Sequence, residues 1–262
     1  MFRVQGFLSL AMAVAMASPA LAQYAVFDQT TDTISVSGDT TVGTAVTYEA
    51  VIRPSDLAGG LVWNEWQAGA EDKQFGLRAN NGVYGYADLG DSNPLDGGFS
   101  AAGGWHHYAY VYDGSQERVY IDGNLEASRS ANGDVPDGAS SVMVVGAIIR
   151  NNNQQLYPSF IGDIDSLRIS NTARYSGTSF VPTLGDMTSD ASTLLLYNFD
   201  NAPGATVISD ESGNGHTGTL GTGFDGATSP TFVPEPSALT LLGISGVAVL
   251  RRRARARRLR AK

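Results

Sequence analysis

Asp163 and Asp165 are separated by a single residue in Gly162-Asp163-Ile164-Asp165. On a strand, that spacing puts two carboxylates on one face. Paired carboxylates about 5–10 Å apart are what glycosidic cleavage requires. No Glu-x-Asp-x-x-Glu string or close variant occurs, and Glu49 and Glu65 stand singly on separate β-rich runs. The three histidines do not form a metal set: His106 and His107 are adjacent and so point to opposite faces of a strand, and His216 is distant. There is no cysteine, which excludes disulfides and thiol chemistry. Neither a Gly-x-Ser-x-Gly elbow nor a phosphate loop is present. What remains is non-covalent chemistry by aromatic rings, which can cover the apolar face of a pyranose. Tyr108, Tyr110 and Tyr112 share one strand face and read as core. Trp63 and Trp66 differ by three and project to opposite faces unless a bulge intervenes. Trp63, Trp66, Tyr84 and Tyr86 are the candidate ligand-binding residues.

The elements that must position these residues are strands. Helical periodicity is nearly absent between residues 24 and 232, and short β-rich runs recur between Gly, Asn and Asp clusters. Asn80-Asn81-Gly82 and Asp113-Gly114-Ser115-Gln116 read as hairpin turns. The pattern predicts an all-β sandwich or jelly roll. In Gly162–Ser170, Ile164, Leu167 and Ile169 are the apolar positions. Strict alternation cannot bury all three, so a β-bulge is expected near Asp165-Ser166. Thr193–Phe199 is expected to be a strand of the same sandwich.

Both ends are processing segments. Met1-Phe2-Arg3, the apolar Val4–Met16 and Ala20-Leu21-Ala22 form a secretory signal peptide, with cleavage expected before Gln23. Residues 23–236 hold all 26 acids but 8 of the 17 bases, a net charge of −18. Such a surface excludes a nucleic-acid partner, whose phosphates need a basic footprint. At the other end Pro234-Glu235-Pro236 precedes the apolar Ala238–Leu250 and an arginine cluster. Thirteen apolar residues make a helix roughly 20 Å long, short for a bilayer span, and the arginines put that end in the cytoplasm. This order resembles the PEP-CTERM sorting tail of Gram-negative bacteria. The resemblance implies a sorting motif at Pro234, Glu235 and Pro236, a transient inner-membrane anchor, an exosortase-type processing enzyme that removes the tail, and a final place at the cell surface or in the extracellular matrix.

The run Trp105–Ser128, WHHYAYVYDGSQERVYIDGNLEAS, resembles the signature hairpin of laminin-G-like, concanavalin A-like jelly rolls. Phe160–Tyr175 looks like that family's closing segment, and Ala45–Pro54 like an early strand ending in Arg-Pro. The resemblance implies a sandwich over residues 23–217, a linker over 218–232 and the sorting tail over 233–262. It also implies a structural Ca2+ between Asp28 and Asp163, and places Asp163-x-Asp165 on a non-catalytic strand. The expected function is non-catalytic carbohydrate binding, with extracellular polysaccharide or surface proteins as partners. A structural or adhesive protein and a glycoside hydrolase are the alternatives.

Overall fold

The computed structural model describes residues 23–38, 40, 43–55, 59–67, 71–78, 82–87, 95–98, 103–130, 142–147, 149–150, 154–155, 160–201 and 204–234. The expected signal peptide and C-terminal membrane helix lie outside them. Among the described residues there are strands and no helix, and so no helix long and apolar enough to cross a membrane. The strands are β1 (Gln23–Phe27), β2 (Ile34–Val36), β3 (Val46–Pro54), β4 (Gly59–Gln67), β5 (Glu71–Arg78), β6 (Gly82–Ala87), β7 (Leu95–Asp96), β8 (His106–Tyr112) and β9 (Gln116–Ile121). They continue with β10 (Asn124–Ser130), β11 (Val142–Val145), β12 (Ile149–Arg150), β13 (Gln154–Gln155), β14 (Gly162–Ser170), β15 (Thr193–Tyr197), β16 (Val207–Ile208), β17 (Gly218–Leu220) and β18 (Thr231–Pro234).

Two eight-stranded antiparallel sheets enclose one core. The first runs β10-β9-β8-β3-β14-β1-β18, with β15 also paired to β14, and the second runs β16-β17-β2-β11-β4-β5-β6-β7. Alternation along β3 sends Val46, Tyr48, Ala50 and Ile52 inward, where Tyr48 stacks on Tyr110 at 5.9 Å and meets Phe75 of the opposite sheet at 6.3 Å. Tyr108, Tyr110 and Tyr112 are fully buried, as a core role requires. The hairpin from β9 to β10 turns on Asp122 and Gly123, with φ of 49° and 76°. Two positive φ values in a two-residue loop are the primed turn whose twist matches paired strands. Gly123 also meets the carbonyl of Phe180, so a side chain there would displace the segment that crosses above.

The expected bulge is present: β14 shifts register against β3 between Ile164 and Ser166. Ile164, Leu167 and Ile169 are all fully buried as a result. The expected strand at Thr193–Phe199 is β15, which pairs with Leu167–Ser170. The same edge of β14 carries β1 farther along, at Gly162–Ile164. Both partners are antiparallel to β14, so β15 and β1 run in the same direction, end to head.

The expected linker over 218–232 is corrected by the structure. β17 pairs with β2, and β18 pairs with β1 from Gln23↔Pro234 to Val26↔Thr231. Leu220 and Phe232 are buried there. Gly218 is a packing residue: a Cβ on it would lie 2.7 Å from Cγ2 of Ile34.

Candidate functional site

An open cleft of about 350 Å³ lies where three neighbouring strands end, and its lining includes Asp28, Arg53, Pro54, Ser55, Gly103 and Asp163. β1, β3 and β14 alternate in direction, so the end of β1, the end of β3 and the start of β14 meet there. Gly162 permits the meeting. Its φ is 150°, and an added Cβ would sit 2.5 Å from the Arg53 carbonyl oxygen and 2.9 Å from Cα of Pro54.

Arg53 is the fixed cation of this cleft. Its Nε donates to Asp163 Oδ2 at 2.6 Å, and its guanidinium lies 4.8 Å from the Trp105 ring centroid and 5.1 Å from that of Tyr24. The two rings meet edge to face at 5.3 Å. Burial lowers the affinity of Arg53 for its proton, but the Asp163 partner more than compensates and its pKa is raised. At Asp163 burial outweighs the ion pair, and its carboxyl is pushed upward. Asp28 is exposed, and its backbone N–H donates to Asp32 Oδ2 at 2.9 Å. The structure therefore brings Asp28 and Asp163 into one cleft, as the resemblance implied. Calcium needs six to eight oxygen ligands. Among the described residues no group of three or more acidic or histidine side chains could hold a metal. With the Arg53 guanidinium on Asp163, these residues do not fit a calcium ion as they stand.

The aromatic candidates lie on β4 and β6, the two strands that flank β5. Trp63 is fully buried in the core, its phase set by a register shift between Leu61 and Trp63, so it has no face for a ligand. Trp66 pairs with Val142 and Asp72, and Tyr84 and Tyr86 pair with Gly76 and Gln74; their side chains lie outside the described residues. The sorting motif begins in the fold, since Pro234 is the last residue of β18; Glu235 and Pro236 lie outside the described residues.

The candidate acids do not assemble a cleavage pair. Asp165 falls at the bulge and is buried, so the simple one-face reading of Asp163 and Asp165 does not hold. Glu65 is buried in the second sheet and accepts from Thr40 Oγ1 at 2.5 Å. Glu49 is fully buried on the outward side of β3. It accepts from Arg168 Nε at 2.7 Å and Tyr175 Oη at 2.6 Å, and it meets His107 Nε2 at 3.1 Å. Arg174 Nε stands 3.6 Å away. Burial pushes the Glu49 carboxyl up, but the His107 and Arg168 contacts win and hold it at about 2.

This network fastens residues 171–190 across the first sheet. Tyr175 and Phe180 stack at 3.6 Å and meet His107 and Tyr120 edge to face. Arg174 reaches Asp190 through two 2.8 Å hydrogen bonds. Sequence reasoning missed both this network and Arg53. The available signal was the Arg-Pro that ends Ala45–Pro54.

A family model for the concanavalin A-like lectin/glucanases superfamily matches residues 28–177, and one for the PEP-CTERM protein-sorting motif matches residues 232–258. No curated protein sequence matches the chain significantly. Among solved structures, the fold is similar to a proposed carbohydrate-binding protein from Bacteroides ovatus, with a TM-score of 0.61, 16% identity, and coverage of 82% of this chain and 60% of that one. It is also similar to the heptameric SAP-like pentraxin of Limulus polyphemus, with a TM-score of 0.49, 14% identity, and coverage of 61% and 80%. Domain 4 of a GH43 extracellular arabinanase from Geobacillus stearothermophilus, in complex with arabinotriose, aligns with a TM-score of 0.45, 21% identity, and coverage of 60% and 72%.

Proposed function

The chain belongs to the concanavalin A-like lectin/glucanases superfamily and carries a PEP-CTERM sorting motif, and from that premise we propose that it binds carbohydrate without cleaving it. It is exported, held at the inner membrane by its tail until an exosortase-type enzyme acts, and then placed at the cell surface or in the matrix. The observation that carries the reading is the cleft at the ends of β1, β3 and β14. Its guanidinium is pre-positioned by Asp163, Tyr24 and Trp105, so little side-chain entropy is lost when a ligand hydroxyl docks. Asp28 and Ser55 add exposed polar groups at its mouth. The likeness to a proposed carbohydrate-binding protein supports the same reading. Asp163 is engaged by Arg53, which favours binding over proton transfer to a leaving group.

The test is retention of the signal-processed chain on a glycan array. Asp28→Ala with Ser55→Ala should weaken retention at least about tenfold, the loss of roughly 1.4 kcal/mol from two hydrogen bonds. Unchanged retention that disappears with Trp66→Ala or Tyr86→Ala would move the site to β4–β6. Release of reducing sugar that stops with Asp163→Asn would establish the hydrolase instead. One observation favours a second reading, an adhesive surface for other proteins: Val181 and Leu184 are 95% and 59% exposed on the crossing segment.

A further inference from the structure

We propose that signal-peptide removal supplies a structural group, the α-ammonium of Gln23, which pairs with Asp200 and clamps β1, and through it β18, at the head of the sorting motif. The backbone nitrogen of Gln23 lies 2.9 Å from Asp200 Oδ1. Gln23 is the first residue of β1 and the residue at which cleavage is expected. Its strand partner is Pro234, the first residue of Pro234-Glu235-Pro236. The two processing sites are therefore direct neighbours in one sheet.

The surroundings are acidic. Asp200, Asp186 and Asp210 all act on Glu211, whose carboxyl is raised first by burial and then by those charges, against a hydrogen bond from Asn198. In the precursor the Gln23 nitrogen is an amide with one N–H, already directed at Asp200. Cleavage turns it into an ammonium with a full positive charge and two more donors. A charge-assisted hydrogen bond is about twice as strong as a neutral one. One orphan acceptor is on the same residue, since Gln23 Oε1 is buried without a hydrogen-bond partner. The end-to-head arrangement of β15 and β1 accounts for the proximity. Asp200 lies three residues beyond the end of β15, so the segment that leaves that strand stands beside the Gln23 nitrogen.

The proposal rests on cleavage before Gln23 and is independent of carbohydrate binding. Its test uses the signal-processed chain, residues 23–262, in detergent, with mass spectrometry to identify the N-terminus. Hydrogen exchange of the β1 and β18 amides is compared between the free amine and its Nα-acetyl form, which keeps an N–H donor but no charge. Exchange should be roughly two- to fivefold slower with the free amine, as one partly exposed ion pair supplies. Asp200→Asn should erase that difference. Equal exchange in the two forms would overturn the proposal, as would a difference that survives Asp200→Asn. A native N-terminus other than Gln23, or a Gln23 cyclised with loss of ammonia, would overturn it too.

Discussion

Replacing Glu49 with Gln keeps the shape of the side chain and removes its charge. In the folded chain its carboxyl is held at about 2, against an ordinary value of 4.5. At about 1.4 kcal/mol per pH unit, that gap is worth roughly 3 kcal/mol near neutral pH. A depressed carboxylate contributes its stability above the unfolded value and loses it as pH falls toward the folded one. The contribution is therefore complete above about pH 5 and disappears between about 4.5 and 2. Breaking a buried ion pair from one side costs about 3–5 kcal/mol, because the partner charge is stranded. Here the partners are Arg168 and Arg174, whose side chains are 12% and 13% exposed. Glu49→Gln should thus cost about 3–4 kcal/mol at pH 7, or roughly 10 °C in melting temperature for a domain of this size. The assay is urea unfolding of both proteins at pH 7 and at pH 2.5, where the difference should shrink to about 1 kcal/mol. A cost below about 1 kcal/mol at pH 7, or a gap that stays constant with pH, would refute the reasoning.

Truncation after Thr217 should leave no folded protein in circular dichroism, since it removes β17, β18 and the buried Leu220 and Phe232, each worth about 1.5–3 kcal/mol. Deleting residues 238–262 should leave the melting temperature unchanged and release the chain from membranes. Trp63→Ala should cost about 3–5 kcal/mol, measured by urea unfolding, because it empties a fully buried site. Calcium followed by EDTA should not move the melting temperature of the wild type, in which Arg53 holds Asp163; a rise with calcium that EDTA reverses would mean that the ion displaces Arg53. Gly162→Ala should cost about 2–3 kcal/mol by the same unfolding assay, through strain at the cleft.

The parts of the fold carried by local pattern were legible. The Asp122-Gly123 turn is written in its own two residues, and the bulge in β14 follows from the parity of Ile164 and Leu167. The parts carried by distant partners were not. Gly218–Leu220 and Thr231–Pro234 read as linker and tail because runs of only three and four residues give no strand signal until β2 and β1 pair with them. Parity alone assigns Trp63 and Trp66 to opposite faces without saying which is buried, and the bulge that fixes the phase of β4 and buries Trp63 has no local mark. The partners of Glu49, namely His107, Arg168 and Tyr175, are 58, 119 and 126 residues away in the chain, and each alone reads as an ordinary polar residue of its strand or loop. Asp28 and Asp163 could be brought together by resemblance; the arginine between them could not.

The four-residue β18 has a mechanical consequence. Among the described residues it is the last strand of its sheet and pairs only with β1, and the chain continues from its Pro234 end toward the sorting tail. A pull transmitted from that side loads Gln23↔Pro234 first, then Tyr24↔Val233, then each pair in turn. A pull that peels β18 from β1 opens these pairs one at a time, which takes less force than breaking them together. Full release frees roughly 14 Å of slack at about 3.4 Å per residue. While the tail is attached, drag on the domain would thus be absorbed at this edge before it reaches the Glu49 network or the cleft.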